Sequence, residues 1–487
     1  MGVKINAPSG LGGNQARAGR EFRKFFFGER DPMAESLNRR GWLKQLGALG
    51  AIVGWGMGRK GVPQELPSTE TGGFTSSIID PEKVQDTRYA PRIVDGKVIQ
   101  PQRELPVIAR TQVLVVGAGP AGVSAAIAAS RAGAKVTLIE RYGHFGGLWT
   151  GGLVLLVLGH IVTGGKQVCL GIGEEMMQRL EKLPGGIINR KPGQNPTVDA
   201  EALKYVMVEM VTEAGVEVFL HSWAVDAILD GDAVRGVVFE SKSGRLAVLA
   251  DVVVDATGDG DIFAAAGAEF EHRTHNIGLV SRIGGVDRID REKAAQVPRP
   301  RRLGGPTPAP GINWVNLTGP EADGLDVKTL THMELSHRKF IWQHLQKIRQ
   351  LPGYESLYLV ETAPQLGVRI TRVLKGVATV RYADLKAGRR FDDVVAVGGS
   401  TNGQHGEWHV PYGALLPRRV DNLLAAGRCI SAEMQMADLV RLIPNCFATG
   451  HAAGVAAAVA VMDRCRPRDV DIRKVQNILR QQGAYLG

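Results

Sequence analysis

Residues 113–140, VLVVGAGPAGVSAAIAASRAGAKVTLIE, constrain the fold of this chain more than any other stretch. Val113–Val116 is an uninterrupted apolar run, the pattern of a parallel strand buried on both faces. Gly117, Gly119 and Gly122 follow as G-x-G-x-x-G. The spacing predicts a helix of small residues from about Pro120 to Arg131, then a strand from Lys135 to Ile139 that ends on Glu140. This is a βαβ unit with a dinucleotide-binding turn in its required context. Gly117 permits the tight turn, Gly119 leaves room for a pyrophosphate against the backbone, and Gly122 lets helix and strand pack closely. Ala118, Pro120 and Ala121 complete the turn and the helix N-terminus, whose free N–H groups attract phosphate. Glu140 stands 23 residues beyond Gly117, near the ~20 expected of a carboxylate that holds a ribose hydroxyl. Its charge disfavours a 2′-phosphate. The fingerprint leaves open whether the dinucleotide carries a nicotinamide or a flavin.

The formal charge is +10 over 487 residues, but residues 1–60 hold +7 of it. The near-neutral remainder argues against a nucleic-acid partner. No run of about 18 apolar residues marks an ordinary membrane span. In the basic leader, Asn38-Arg39-Arg40-Gly41-Trp42-Leu43-Lys44 precedes a Gly/Ala-rich run, Gln45 to Met57, closed by Arg59 and Lys60. This resembles a twin-arginine export signal, with Asn38 and Trp42 where Ser or Thr and Phe are usual. The resemblance implies recognition by the twin-arginine translocation machinery and a periplasmic or exported location. No A-x-A site follows, so a retained leader would be a weak membrane anchor. Residues 1–32 precede the usual short start, and translation is expected to begin at Met33. Cys169, Cys429, Cys446 and Cys465 show no metal spacing, and no metal site is expected.

Residues 61–106 read as a linker. Helical periodicity marks 166–183, 197–214 and 328–350; strands are expected at 216–220, 223–229, 233–241, 245–249, 251–255 and 422–426, and a last helix from about Thr449 to Arg464. The expected fold is α/β. A Rossmann-like domain is assembled discontinuously from three stretches, roughly 107–165, 197–275 and 413–465, with 276–412 inserted as an α+β substrate domain and 466–487 as a C-terminal tail.

Three signatures in order point further. They are the fingerprint, Asp255-Ala256-Thr257-Gly258-Asp259-Gly260-Asp261 after a strand, and Asn422-Leu423-Leu424-Ala425-Ala426-Gly427-Arg428 followed by an Ala/Gly helix. Together they resemble the FAD-dependent oxidoreductases of the glutathione-reductase-like superfamily, over residues 107–465. The resemblance implies non-covalent FAD, with Arg141 beside Glu140 at the ribose and Ala224 and Val225 backing the adenine. Gly146, Gly147 and Leu148 belong to a loop along the flavin. Thr257, Gly258, Asp259, Gly427 and Arg428 lie beside the cofactor, and a helix beginning near Gly450, with Ala452 and Ala453, points at the ring. Asp255 and Asp261 stay open as loop carboxylates. His144 lacks the His-Thr setting of covalent fumarate reductases.

The implied reaction is hydride transfer from a small substrate to the flavin, with electrons passed to a quinone or redox protein. The patch Gln404 to Tyr412 precedes the return to the FAD domain, so its topology is expected to bring it near the flavin. His409 first and His405 second suit general-base work, with Tyr412 beside them; a structural imidazole is the alternative. Arg369 and Arg372, in G-x-R-x-x-R, suit an anion clamp or an interface ion pair. Arg441 and Asn445 are further pocket candidates. The arginines suggest an anionic or polyhydroxylated substrate. The alternatives are a flavin-bound scaffold subunit and an RNA-modifying flavoprotein.

Overall fold

The computed structural model describes residues 89–487. The leader, with its twin-arginine-like run and Met33, and the linker up to residue 88 lie outside the described residues. The C-terminal part of the linker forms an exposed hairpin, Arg92–Val94 against Lys97–Ile99. Asp95 and Gly96 both take positive φ at its tip, as a two-residue hairpin turn requires.

In chain order the first elements are β1 (Val107–Val116), α1 (Pro120–Arg131), β2 (Val136–Ile139), α2 (Ile172–Glu181), α3 (Ala200–Glu213), β3 (Glu217–Phe219), β4 (Trp223–Asp230), β5 (Ala233–Ser241), β6 (Gly244–Asp255) and α4 (Asp261–Ala265). Then come β7 (Leu279–Gly284), β8 (Ile312–Leu317), α5 (Val327–Arg349), β9 (Tyr358–Thr362), β10 (Val394–Gly398), β11 (Trp408–Pro411), β12 (Leu423–Ala425), α6 (Ile443–Asp463) and α7 (Ile472–Gln481).

A seven-stranded sheet runs β3-β2-β1-β6-β5-β4, with β12 also paired to β6. β1, β2, β3 and β12 are parallel to their neighbours, whereas β4, β5 and the start of β6 form an antiparallel meander. The two strands expected at 245–249 and 251–255 are one. Its first residues pair with β5 and its last three with β12. The change from mixed to wholly apolar side chains marks a change of partner, because only the parallel centre is buried on both faces.

A second, antiparallel sheet lies in the 276–412 stretch, with β8, β7 and β9 side by side and Gly305–Pro306 at the edge of β8. α5 covers it, burying Ile341, Leu345 and Ile348. β10 and β11 form a separate two-stranded ribbon.

α6 begins at Ile443, not near Gly450. Leu442 is its extended N-cap and Pro444 sits in its first turn, where the missing N–H costs nothing. Gly450, Ala452 and Ala453 are therefore mid-helix, and their smallness serves helix packing. A Cβ on Gly450 would lie 2.0 Å from the Ala121 carbonyl oxygen, and one on Gly454 would lie 2.2 Å from that of Ala125. The Ser124 hydroxyl donates to the Phe447 carbonyl across the same seam. α6 has the length and hydropathy of a membrane span, but 83% of that window is buried inside the protein, which accounts for its composition.

Candidate functional site

The site begins at the β1–α1 turn. Gly117 has φ +93°, and a Cβ there would meet the Ala256 carbonyl at 2.6 Å. A Cβ on Gly122 would lie 1.7 Å from the Gly117 oxygen, whereas one on Gly119 meets nothing. So Gly117 and Gly122 are required by the turn itself, and Gly119 keeps its outer side open. Glu140, buried at the end of β2, accepts from the Ala118 N–H at 2.6 Å and the Tyr142 N–H at 2.9 Å. It ties the turn to the strand end where a ribose would lie. The Gly146 N–H donates to the Ala118 carbonyl. This lays Gly147 against Gly119 and aligns Leu148 and Trp149 along the opening.

The three carboxylates of the 255–261 turn have separate tasks. Asp255 accepts from the Thr257 N–H and hydroxyl and from the Ile262 and Phe263 N–H groups, so it caps α4. Burial pushes its pKa up to about 6. Asp259 accepts from Arg428 at 2.7 Å and from the Thr371 hydroxyl at 2.7 Å. Burial alone would raise its pKa, but Arg428 and Thr371 outweigh burial and hold it below the ordinary value. Asp261 pairs with Arg372 at 2.8 Å. Arg372 also donates to the Asp259 carbonyl. It fastens the 367–374 segment to this turn and does not line the cleft.

These parts border two connected hollows. A shallow recess, about 350 Å³ with its open mouth included, is lined by Val116, Glu140, Arg141, Trp223 and Ala224. The Arg141 guanidinium stands 5.8 Å from the Trp223 ring centroid; Val225 does not line the recess. Gly117, Glu140, Arg141 and Thr257 are shared with a cleft of about 1930 Å³, open mouth included. Its enclosed cavity volume is about 440 Å³, within the ~300–1,000 Å³ of ordinary small-ligand sites. Pro120, Ala121, Gly258, Asp259, Gly427 and Arg428 line its near half. Its far half is mostly apolar, with Leu156, Leu158, Val280, Trp314, Leu366 and Val368, and carries Asn316, Gln365, Arg369 and Arg441.

Arg369 donates to the Asn276 carbonyl at 2.6 Å and the Thr318 carbonyl at 3.2 Å. It has no carboxylate within ion-pair distance among the described residues, whereas Arg441 pairs with Asp438. Burial, then the like charge of Arg441, lowers its pKa to about 10. Three buried donors of cleft-lining residues, Trp149 Nε1, Gln365 Nε2 and Arg428 Nε, have no hydrogen-bond partner among the described residues. Buried polar groups are rarely left so, and a polar ligand in the cleft would satisfy them. The donor set and the open side of Gly119 fit a dinucleotide.

The patch from Gln404 to Tyr412 lies elsewhere. None of its residues lines the cleft; from this region only Thr401 does. β11 pairs with β10, and the ribbon carries the patch towards the C-terminal segment. The His409 ring abuts Gly487, its Nε2 is 4.0 Å from Glu407, and burial with nearby Arg390 lowers its pKa. The His405 ring sits edge-on to Tyr382, and the Tyr412 hydroxyl donates to the Pro467 carbonyl at 2.6 Å. The expected placement of this patch at the opening is corrected: adjacency in sequence to β12 did not bring these side chains there. Asn445 is likewise internal, bridging Gly399 and Leu439. Trp149 and Gln365 are cleft residues that sequence reasoning missed. The one available signal was a large aromatic set between two glycine pairs, Gly146-Gly147 and Gly151-Gly152.

Residues 112–301 and 287–479 match the FAD dependent oxidoreductase family. The chain belongs to that family. It is an FAD-dependent enzyme, and its α/β fold is of the FAD-binding kind. A digeranylgeranylglycerophospholipid reductase of Methanopyrus kandleri is 34% identical over 148 residues, covering 30% of this chain and 37% of that protein. A thiamine thiazole synthase of Aeropyrum pernix is 30% identical over 188 residues, covering 36% of this chain and 63% of that one. The matched regions thus span less than two thirds of either relative. Among solved structures, a geranylgeranyl bacteriochlorophyll reductase-like protein of Thermoplasma acidophilum is 16% identical, with TM-score 0.43 over 77% of this chain and 83% of that chain.

Proposed function

We propose that this FAD-dependent oxidoreductase binds FAD non-covalently, with the adenosine in the recess at Trp223 and Ala224 and the flavin beside Leu148 and Trp149. On this reading residues 107–275 and 413–465 form one FAD-binding domain, and 276–412 roofs the substrate. His144 supports non-covalent binding, since its Nδ1 engages the Phe145 carbonyl and its ring stacks on Tyr142. So does Cys446, whose cleft-lining thiol burial pushes up to about 12, leaving it neutral and a poor nucleophile. When bound, FAD supplies a two-electron acceptor that can return electrons singly.

The substrate is proposed to be a small anion oxidised in the far half of the cleft. The observation that carries this is Arg369: a half-buried cation that lines the cleft, with carbonyl partners and no carboxylate in ion-pair distance among the described residues. Such a group pairs with an anion at little desolvation cost and fixes its orientation. The apolar walls exclude water from the reacting face. Electron transfer onward to a quinone or redox protein, and export by the twin-arginine route, complete the proposal. Anaerobic screening of small carboxylates by bleaching of the flavin absorbance tests it. Arg369→Gln should keep full FAD content and raise KM for the active acid by about tenfold to a hundredfold, the value of one charged hydrogen bond. An unchanged KM would show that the anion is held elsewhere.

A further inference from the structure

Much of the surface charge is paired. Arg131, Arg179, Arg190, Arg245 and Arg466 each lie within ion-pair distance of at least one carboxylate. The outer face of α5 differs. Lys328, Leu335, Lys339, Trp342 and Arg349 follow helical spacing on one side and are all exposed. Leu335 is 69% and Trp342 is 55% exposed, large values for side chains of this type. From Leu335 to Arg349 the helix has no acidic residue.

A basic strap runs beside it. Arg299, Arg301 and Arg302 are exposed in a stretch, 297–304, without a carboxylate. The strap is held to α5 by the Arg301 carbonyl, 3.3 Å from His344 Nε2, and by the Arg302 guanidinium, 4.9 Å from the Phe340 ring centroid. Lys339, Lys347, Arg349, Arg299, Arg301 and Arg302 have no carboxylate within ion-pair distance among the described residues. Lys328, Lys339 and Arg349 therefore flank two protruding apolar side chains on one side of α5, while the strap and Lys347 add cations on its other sides, on a body whose overall charge is near neutral.

The geometry points to this face as a docking surface for an anionic lipid bilayer. Cations of such a face are drawn to the negative surface potential. Trp favours the headgroup level, and Leu and Trp together give the helix an apolar edge that enters the acyl boundary. A nucleic acid would use the cations but would leave Leu335 in water. Leu330, on another side of α5, lines the cleft. Docking would thus set the far half of the cleft about one helix diameter, ~10–12 Å, from lipid. The docking stands apart from the proposed substrate, while its use in delivering electrons to a membrane quinone rests on the proposed function.

The full-length FAD-loaded chain is tested by co-sedimentation with vesicles of phosphatidylcholine alone or mixed with phosphatidylglycerol. Three variants accompany it: Leu335→Gln/Trp342→Gln, Lys328→Gln/Lys339→Gln/Arg349→Gln, and Arg39→Gln/Arg40→Gln as a control for the basic leader. Binding should need phosphatidylglycerol and weaken with salt. The triple charge variant on α5 should lower the partition coefficient at least about tenfold, and the leader control should lower it less. Trp emission should shift to the blue on binding, and Trp342→Phe should abolish that shift. FAD content and Tm of each variant show that it is folded. Wild-type affinity in both face variants would overturn the proposal, as would a wild-type chain that ignores phosphatidylglycerol, even if it retained an RNA oligonucleotide through the same face. Neither result would alter the flavin reading, which the absorbance spectrum reports separately.

Discussion

The two halves of the cleft differ in how far the protein pairs their charged groups, although Arg428 Nε in the near half has no partner among the described residues and Arg441 in the far half pairs with Asp438. In the near half the charged groups answer one another: Glu140 holds two N–H groups, Asp259 holds Arg428, Asp261 holds Arg372, and Asp255 caps α4. Among the described residues, Arg369 in the far half finds only carbonyls and Gln365 Nε2 finds no partner. The first half is preorganised by the fold and will tolerate little change. The second is completed by whatever binds there, so its side chains can be altered with small effect on folding. Substitutions in the two halves can sharpen that contrast or break it.

The largest effects belong to the β1–α1 turn. Gly122→Ala places a methyl 1.7 Å from the Gly117 oxygen, and backbone cannot yield cheaply there. The expected cost is at least about 3 kcal/mol, with loss of bound flavin. Gly119→Ala meets no protein atom. It should leave Tm nearly unchanged while weakening FAD binding at least about tenfold, because the added methyl stands where the pyrophosphate approaches. Flavin-to-protein ratio and thermal melts separate the two. Equal losses in both variants would mean that Gly119 too is a folding residue.

Next is the Asp259–Arg428 pair, whose side chains are 14% and 18% exposed. Arg428→Met leaves a carboxylate with too few partners in a mostly buried place, at a cost of about 3–5 kcal/mol. Asp259→Asn in the same chain should recover part of that loss, as a double-mutant cycle would show. No recovery would place the role of Arg428 outside the pair.

The fold was legible where short-range pattern and long-range packing coincide. The helix expected at Pro120–Arg131 is found with those bounds, because its proline start and its Ala/Gly face both follow from the local motif. The start of α6 was misplaced, since Pro444 and Asn445 read locally as loop residues while their actual partners, Gly399 and Leu439, are far or non-repeating in sequence. The near half of the cleft was largely visible for the same reason: its residues sit in contiguous glycine motifs. Gln365, Trp314 and Asn316 meet in the far half only through the antiparallel sheet and the loop that follows β9, and no spacing rule announces that.

The scaffold behind the near half gives a pH test. His451 is buried in α6, and burial lowers its pKa to about 4 despite its hydrogen bond to Gln482. The folded value lies below the unfolded ~6.5, so between about pH 6.5 and 4 the unfolded chain binds the extra proton. Stability from this group is fully present above the unfolded value and is lost as pH falls through that window. The loss is at most about 3 kcal/mol, the equivalent of the shift. His451→Gln should flatten the decline of Tm from pH 7 to pH 4. Asp255 acts in the opposite direction, its folded value being raised to about 6, so Asp255→Asn should steepen the decline.

The smallest effect is expected where the sequence suggested the largest. His409 and His405 have the chemistry of a general base, but chemistry acts only within hydrogen-bond reach of the reacting atom. His409 is enclosed beside Gly487, and His405 faces Tyr382. Neither lines the cleft, whose far half has no imidazole or carboxylate among its lining residues. On the proposed reaction, the proton released from the substrate would leave through water or through the substrate itself. His409→Gln and His405→Gln should each keep kcat within about twofold and leave the pH profile of kcat/KM in place, since the assay reports groups near the reacting atoms. A hundredfold fall in kcat with unchanged flavin content would return the patch to the reaction. It would also mean that the β10–β11 ribbon moves to the cleft when substrate binds.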